Sequence, residues 1–352
     1  MKVKGNILVM TGGGSAGHVV PNIALLPELR KSFEKIYYIG SHNGIERRIV
    51  AEQARGVEYF SVSTVKLRRS FDLRNLAIPF KLLRGVAQAK RILKTIRPDV
   101  VFSKGGFVAY PVVRAAAKLK IPVVAHESDM TMGLANRMSA KYCKIICTTF
   151  KKTATKPKMI CTGSPLREEI YNGIPIKIER RHNFSESEKG NLLIFGGSLG
   201  AAKVNEAVRG ADFGGFNVVH ICGKGKTVGN SKHIELDFVN DIQNYFAWAD
   251  VVVARAGSNS VCELLALKKP SLFIPLSKAN SRGDQIDNAN EVLKSGAAAV
   301  LWEEDLTPQT LAARVNEVFK NRDRYTKNAA KMGSLDGTKK IAEIITRTAR
   351  NA

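Results

Sequence analysis

Asn6-Ile-Leu-Val-Met10 runs directly into Thr11-Gly-Gly-Gly-Ser-Ala-Gly-His18. An apolar run of strand length that ends in glycines and opens a helix leaves several backbone N–H groups without intrahelical partners, directed at one spot beside the positive end of a helix dipole. Such a spot binds phosphate or a similarly polar group of a ligand. Gly12, Gly14 and Gly17 fit the G-x-G-x-x-G spacing of dinucleotide-binding turns. That fingerprint also needs an acid about 20 residues further on, at the end of the next strand, to hold the ribose hydroxyls. Here Lys35-Ile-Tyr-Tyr-Ile-Gly40 runs into Ser41-His42 instead, so the glycines alone do not make an NAD site.

The same device returns in the second half, where Asn191-Leu-Leu-Ile-Phe195 ends in Gly196-Gly-Ser-Leu-Gly-Ala201 and a helical stretch. Glycine also serves ordinary strand-to-helix turns, but two such loops at matching positions in two halves point to two doubly wound domains whose helix N-termini share a cleft. With 352 residues the chain is long enough for both. From residue 1 to about 150, short β-rich runs alternate with amphipathic stretches, with strands expected at Ile7–Met10, Ile36–Gly40, Val57–Val62, Val100–Ser103, Val123–His126 and Ile145–Thr148. The charged, irregular stretch Tyr171–Gly190 reads as an interdomain connection. A second series follows at Leu192–Phe195, Val218–Cys222, Ile234–Val239, Val251–Ala254, Ser271–Pro275 and Ala298–Leu301. The expected division is 1–163 and 164–336, with a last helix over 337–352 that can pack back on the first domain.

Composition narrows the function classes. No apolar run reaches the ~18 residues of a spanning helix, and Met1-Lys-Val-Lys-Gly5 offers no secretory signal, which points to the cytoplasm. Cys143, Cys147, Cys161, Cys222 and Cys262 lie mostly in apolar stretches without metal spacing and read as small core residues in a reducing compartment. Fifty-five basic against 31 acidic residues give a net charge of +24, a field that favours polyanionic surroundings. Residues 64–97 hold ten Lys and Arg, Lys81 and Arg84 among them, against Asp72 alone, interleaved with large aliphatic residues. That mixture suits an anionic membrane surface. Nucleic-acid binding wants aromatic stacking, and this segment has only Phe71 and Phe80. A solvated basic helix with one core face is the plainer alternative.

Three further segments stand at the expected carboxyl ends of strands, where open α/β sheets bind ligands. They are Phe102-Ser-Lys-Gly-Gly-Phe107, His126-Glu-Ser-Asp129 and Arg255-Ala-Gly-Ser-Asn-Ser-Val-Cys-Glu263. A carboxylate at the depth of Glu263 can accept both hydroxyls of a ribose, and it can equally be a helix acid stabilised by the dipole. Gly283-Asp-Gln-Ile-Asp-Asn288 offers polar groups suited to sugar hydroxyls, or a helix start capped by Asp284. D-x-D, H-E-x-x-H and the P-loop pattern are all missing, so no metal and no bound cofactor are expected. A departing diphosphate would then be stabilised by helix N-termini and by cations such as Arg167 or Lys104.

Taken together, Gly13-Gly-Ser-Ala-Gly-His18 with Pro21, Lys104-Gly-Gly-Phe-Val108, Pro122-Val-Val-Ala-His-Glu127, Gly163-Ser-Pro-Leu-Arg167, Gly196-Gly-Ser-Leu-Gly-Ala201, Ala247-Trp-Ala-Asp250 and Arg255–Glu263 resemble, in order, the motifs of the MurG family of peptidoglycan N-acetylglucosaminyltransferases. The resemblance spans about residues 6–320. It implies an α/β GT-B architecture, two Rossmann-like domains facing across a cleft, and inverting, metal-independent transfer from UDP-N-acetylglucosamine to the 4-hydroxyl of undecaprenyl-linked lipid I. By motif match the family would place the Val239 main chain at the uracil and Glu263 at the ribose. Ser198 and the Ser258-Asn259-Ser260 turn, continuing into Val261 and Cys262, would lie at the diphosphate. Asp284 and Gln285 would be at the sugar and Arg167 near the nucleotide. Ser15, Ala16, Gly17 and His18 would face the donor sugar and acceptor, with Asp129 nearby.

The family commonly has His-Glu-Gln-Asn where this chain has His126-Glu-Ser-Asp129, and a Gln pair where it has Asp284-Gln285. Sugar contacts are therefore less firmly carried over than nucleotide contacts. His18 and Glu127 are the candidates for the base that takes the hydroxyl proton, His18 having the suitable unperturbed pKa; a structural role for His18 stays open. The implied partners are UDP-N-acetylglucosamine, lipid I and an anionic membrane surface, and the implied location is peripheral, on the cytoplasmic face of the cell membrane. The other readings are a basic nucleic-acid-binding protein on a Rossmann scaffold and a UDP-sugar epimerase of the same architecture.

Overall fold

The computed structural model describes residues 6–65, 78–197, 200–229, 231–278, 283–333 and 335–351. They form two compact units, unit 1 from Met1–Arg167 with Asp336–Ala352 and unit 2 from Glu168–Leu335. In unit 1 the strands are β1 (Ile7–Thr11), β2 (Lys35–Ser41), β3 (Glu58–Val62), β4 (Val100–Ser103), β5 (Val123–Glu127), β6 (Ile145–Thr148) and β7 (Met159–Cys161). Between them run α1 (Val20–Leu29), α2 (Ile45–Gln53), α3 (Ile78–Ile96), α4 (Ala109–Lys118) and α5 (Leu134–Ser139). Unit 2 carries α6 (Ile176–His182), β8 (Gly190–Phe195), α7 (Ala202–Gly210), β9 (Phe216–Ile221), β10 (Ile234–Leu236), α8 (Ile242–Trp248) and β11 (Val251–Ala254). It continues through α9 (Ser258–Ala266), β12 (Ser271–Phe273), α10 (Asp284–Ser295), β13 (Ala299–Val300), α11 (Pro308–Lys320) and α12 (Arg322–Lys331). The chain closes with α13 (Thr338–Arg350).

Every strand pairing among the described residues is parallel. The sheet orders are β3-β2-β1-β4-β5-β6-β7 and β10-β9-β8-β11-β12-β13. Each is doubly wound and reverses direction beside its first strand, between β1 and β4 and between β8 and β11. A parallel sheet is covered on both faces, so its strands are apolar throughout. Leu8, Met10 and Phe102 pack on one face with Leu25, Ile341 and Ile345, while Val9, Val101 and Val123 pack on the other with Val86, Leu93 and Val112. Unit 2 repeats this with Leu193 and Val252 opposed to Leu192 and Val253. Cys143, Cys147, Cys222 and Cys262 are buried and Cys161 half-buried, all as free thiols.

Two expectations need correction. Tyr171–Gly190 is not a connection but part of unit 2: α6 puts Ile178 fully in the core, and Phe184 stacks on Trp248 at 5.2 Å. Its exposed face carries the charge that hid the helix, and seven residues, about two turns, are too few to show a period. The strand expected to reach Val239 ends at Leu236, leaving Val239 in the following loop. The short edge strand β7, Met159-Ile-Cys161, carries little sequence signal because it is three residues long and follows a lysine-rich stretch.

The chain returns to unit 1 over a tight passage. Ser164 bridges Asp336, and Thr338 Oγ1 accepts from Leu166 N at 2.9 Å and donates to Leu166 O at 3.1 Å. A Cβ on Gly337 would lie 2.6 Å from Thr162 O, so only glycine lets the strands approach. Beyond it α13 buries Ile341, Ile344 and Ile345 against α1 and the sheet.

Candidate active site

In unit 1 the loops after β1 and β4 meet at the switch point. Lys104 N donates to Thr11 O at 2.9 Å, and a Cβ on Gly106, whose φ is +78°, would lie 2.2 Å from Gly13 O. The loop 12–18 is held from beneath by buried polar groups. Asn22 Nδ2 donates to Thr11 O, His18 O and Tyr38 Oη, and Tyr38 Oη donates to Gly12 O at 2.8 Å. Glu46, fully buried, accepts from Gly14 N at 3.2 Å, from Ser41 N at 3.0 Å and from the Ser41 hydroxyl. Above this floor Ser15 and Gly17 are exposed and Ala16 and His18 half-buried, with Ser15 Oγ 2.8 Å from His18 Nδ1.

The segment after β5 is buried rather than displayed. Glu127 accepts from Asp129 N at 3.0 Å, Gly133 N at 3.0 Å and Asn136 Nδ2 at 2.9 Å, which ties down the turn that follows. Burial and the neighbouring Asp129 nonetheless push its carboxyl above the ordinary range. His126 sets Nε2 2.9 Å from Gly163 O; burial and the nearby Lys104 hold it neutral, so Nε2 carries the proton and donates. Lys104, which the sequence offered as a cation for diphosphate, is only 1% exposed and donates to Ser128 Oγ. Asp129, next in sequence to Ser128, is half-buried, and half-buried Arg167 ends the first of the two segments of unit 1.

Unit 2 presents its own switch point. Gly197 and Gly200 take φ of +85° and +66°, and a Cβ on Gly200 would lie 1.9 Å from Cys222 O. Ser198 lies outside the described residues. Beside this loop the exit of β11 leads into α9, whose N-cap is Gly257, a residue with no side chain to cap the helix, and whose first turn carries no acid; a helix start of this kind suits an anion. Ser258, Asn259, Ser260 and Glu263 are half-buried. Val261 and Cys262 are fully buried core residues, so neither displays its side chain to a ligand.

Buried pairs that the sequence did not reveal fix this segment. Arg255 Nη2 lies 2.5 Å from Glu303 Oε1, and Arg255 Nη1 donates to Ile274 O at 3.2 Å and Pro275 O at 3.4 Å. Ser277 N donates to Glu303 Oε2 at 3.2 Å. Burial opposes ionisation of Glu303, but Arg255 and Ser277 outweigh it and hold the carboxyl below its ordinary range. Asn288 Nδ2 donates to Ala256 O at 3.2 Å, and Gln285 Oε1 accepts from Leu276 N at 3.0 Å. Asp284 is half-buried in the first turn of α10, and Val239 is half-buried after β10.

His220, Cys222 and Glu235 bring potential metal-ligand atoms within 4.8 Å of one another. Both Glu235 oxygens are already engaged, by Arg209 at 2.8 and 3.3 Å and by Val228 N at 2.7 Å. Burial pushes His220 down to about 4 and the Cys222 thiol up to about 11. The guanidinium supplies the cation there, and the cluster braces α7 against β9 and β10.

Residues 8–148 match the glycosyltransferase family 28 N-terminal domain, and residues 191–346 match its C-terminal domain. The chain belongs to glycosyltransferase family 28. A family 28 relative from Clostridium botulinum strain Langeland is 48% identical over 96% of this chain and 98% of its own length. It is named UDP-N-acetylglucosamine--N-acetylmuramyl-(pentapeptide) pyrophosphoryl-undecaprenol N-acetylglucosamine transferase. A relative of the same name from Geobacillus thermodenitrificans is 46% identical over 97% of this chain and 99% of its own. The crystal structure of Acinetobacter baumannii MurG superposes with a TM-score of 0.76 at 24% identity, covering 97% of this chain and 99% of that one. The two α/β domains are thus those of a GT-B glycosyltransferase. A UDP-GlcNAc 2-epimerase from Neisseria meningitidis also superposes, with a TM-score of 0.67 at 14% identity, so the fold by itself does not choose between transfer and epimerisation; family membership does.

Proposed function

We propose that this family 28 glycosyltransferase moves N-acetylglucosamine from UDP-N-acetylglucosamine to the 4-hydroxyl of undecaprenyl-linked N-acetylmuramyl-pentapeptide, turning lipid I into lipid II. The observation that carries this is 48% identity over 96% of the chain to a transferase of that name. The acceptor hydroxyl attacks the anomeric carbon, UDP leaves from the opposite face, and an α-linked donor gives a β-linked product. Unit 2 would hold the donor, with Glu263 at the ribose, Val239 at the uracil, Ser198 and the Ser258–Ser260 turn at the diphosphate, and Asp284 and Gln285 at the sugar. The glycine-led N-terminus of α9, with no acid in its first turn, supports the diphosphate assignment.

Of the two candidate bases, we favour His18. Both Glu127 oxygens accept from fixed donors, whereas His18 stands half-buried on the loop with Ser15 against its Nδ1. Glu127 then orients the Asp129 turn. Ser15, Ala16 and Gly17 would present main-chain groups to the acceptor, and Arg167 would offset charge on the nucleotide.

No helix among the described residues is long and apolar enough to cross a membrane. We infer peripheral docking on an anionic leaflet at the cytoplasmic face. On α3, Phe80 and Leu83 are 76% and 53% exposed, and the same stripe continues through exposed Arg84, Arg91 and Lys94. Apolar side chains flanked by cations suit an interface of headgroups and acyl chains. The rest of the basic segment, residues 66–77, lies outside the described residues. The decisive assay incubates the protein with UDP-[14C]N-acetylglucosamine in vesicles with and without lipid I. Label in lipid II only when lipid I is present supports the reading; acceptor-independent conversion of the nucleotide sugar would refute it.

A further inference from the structure

Glu46 belongs to no motif, yet it is completely buried and, among the described residues, has no cation within 4 Å. A carboxylate so placed is costly unless donors surround it. Ser41 N and Oγ satisfy Oε1, and Gly14 N satisfies Oε2. Glycines make room around it. A Cβ on Gly13 would lie 2.6 Å from Glu46 Cδ, one on Gly44 2.2 Å from Oε1, and one on Gly40 3.0 Å from Cγ. The acid that sequence reasoning sought after the second strand, for a ribose, is instead at the head of α2, turned inward beneath the first glycine loop.

We propose that Glu46 is a positioning residue for the transfer step: it captures the Gly14 amide and thereby sets the direction of the loop that carries Ser15 to His18. Gly14, at φ +86°, has no side chain to anchor itself. Its neighbours are held through carbonyls, by Tyr38 at Gly12 and Asn22 at Thr11 and His18; Glu46 grips the loop through an N–H. What the loop contacts rests on the function proposed above.

Glu46→Gln keeps the size but turns an amide donor towards either Ser41 N or Gly14 N. Gly44→Ala, whose extended backbone accepts alanine, displaces the carboxyl without touching the loop. In both, kcat should fall about 10- to 100-fold, as expected for misplacing a reacting group by a fraction of an ångström, with the KM for UDP-N-acetylglucosamine changed less than about threefold. In [15N]glycine-labelled protein the Gly14 amide proton should lie downfield in the wild type and move upfield in each variant. A purely structural Glu46 would lower the melting temperature while kcat per folded molecule stayed intact, and that outcome overturns the proposal. So does a wild-type Gly14 amide that exchanges freely with solvent, a measurement that needs no variant to fold. Absence of transfer by the wild type would sink the function reading and still leave the Gly14 resonance to judge the anchor.

Discussion

Glu303→Gln tests how the Arg255–Glu263 segment of unit 2 is held. The wild-type carboxylate takes the Arg255 guanidinium on one oxygen and Ser277 N on the other, with its side chain 1% exposed. A glutamine offers one acceptor in place of two, so either Arg255 loses its partner or Ser277 N does, and the buried guanidinium is left without a counter-charge. Removing one member of a buried ion pair costs about 3–5 kcal/mol. For a domain the size of unit 2, about 2–4 °C of melting temperature is lost per kcal/mol. Differential scanning calorimetry should therefore show one transition falling by roughly 6–20 °C while that of unit 1 stays put. The pH dependence has a definite sign. The folded Glu303 carboxyl lies below its ordinary range, so its contribution is complete above the unfolded value of about 4.3 and fades as pH falls through the lower folded value. The gap between wild type and variant should thus be full at neutral pH and narrow on acidification below about pH 4. Because Arg255 opens the Arg255–Glu263 segment, UDP affinity should weaken as well. A shift below about 1 °C, or a gap that widens in acid, would refute the reasoning.

Three further outcomes are expected. Glu263→Gln should weaken UDP binding by about 10- to 100-fold in calorimetry, the loss of a charge-assisted pair of hydrogen bonds, with the melting profile unchanged; equal affinity removes Glu263 from the ribose. His18→Ala should lower kcat about 100- to 10,000-fold with little effect on the donor KM. The reverse pattern, a raised KM at unchanged kcat, makes His18 a binding residue. Replacing Lys81, Arg84, Arg91 and Lys94 by Gln should release the protein from phosphatidylglycerol vesicles, each cation being worth about 1 kcal/mol at an anionic surface, and should spare activity on a water-soluble acceptor. Undiminished sedimentation of the variant would place the docking surface elsewhere.

The strands were legible because a buried parallel sheet demands unbroken apolar runs, and Val100–Ser103, Ile145–Thr148 and Val251–Ala254 match the structure residue for residue. The glycine loops were legible because only glycine allows Gly106 to pass so close to Gly13 O and Gly200 so close to Cys222 O. The charged helix α6 was not, since its single core residue, Ile178, has no periodic companions within seven residues. Nor were Glu46 and the Arg255–Glu303 pair. Their significance lies in partners 32 and 48 residues away, and no local pattern separates a buried acid from a solvated one. Motifs point to displayed residues as candidates for the site; the buried residues that hold them required the fold.

The return of α13 to unit 1 bears on how the polypeptide is made. Unit 2 is one continuous stretch, Glu168–Leu335, whereas unit 1 is assembled from both ends of the chain. The slot against Leu25, Leu29 and Phe102 stays uncovered until Ile341, Ile344 and Ile345 arrive. During synthesis, the half that leaves the ribosome first is therefore the half that finishes last. It waits with an apolar groove open while its neighbour completes its own core, and in that interval it is the natural client of a chaperone.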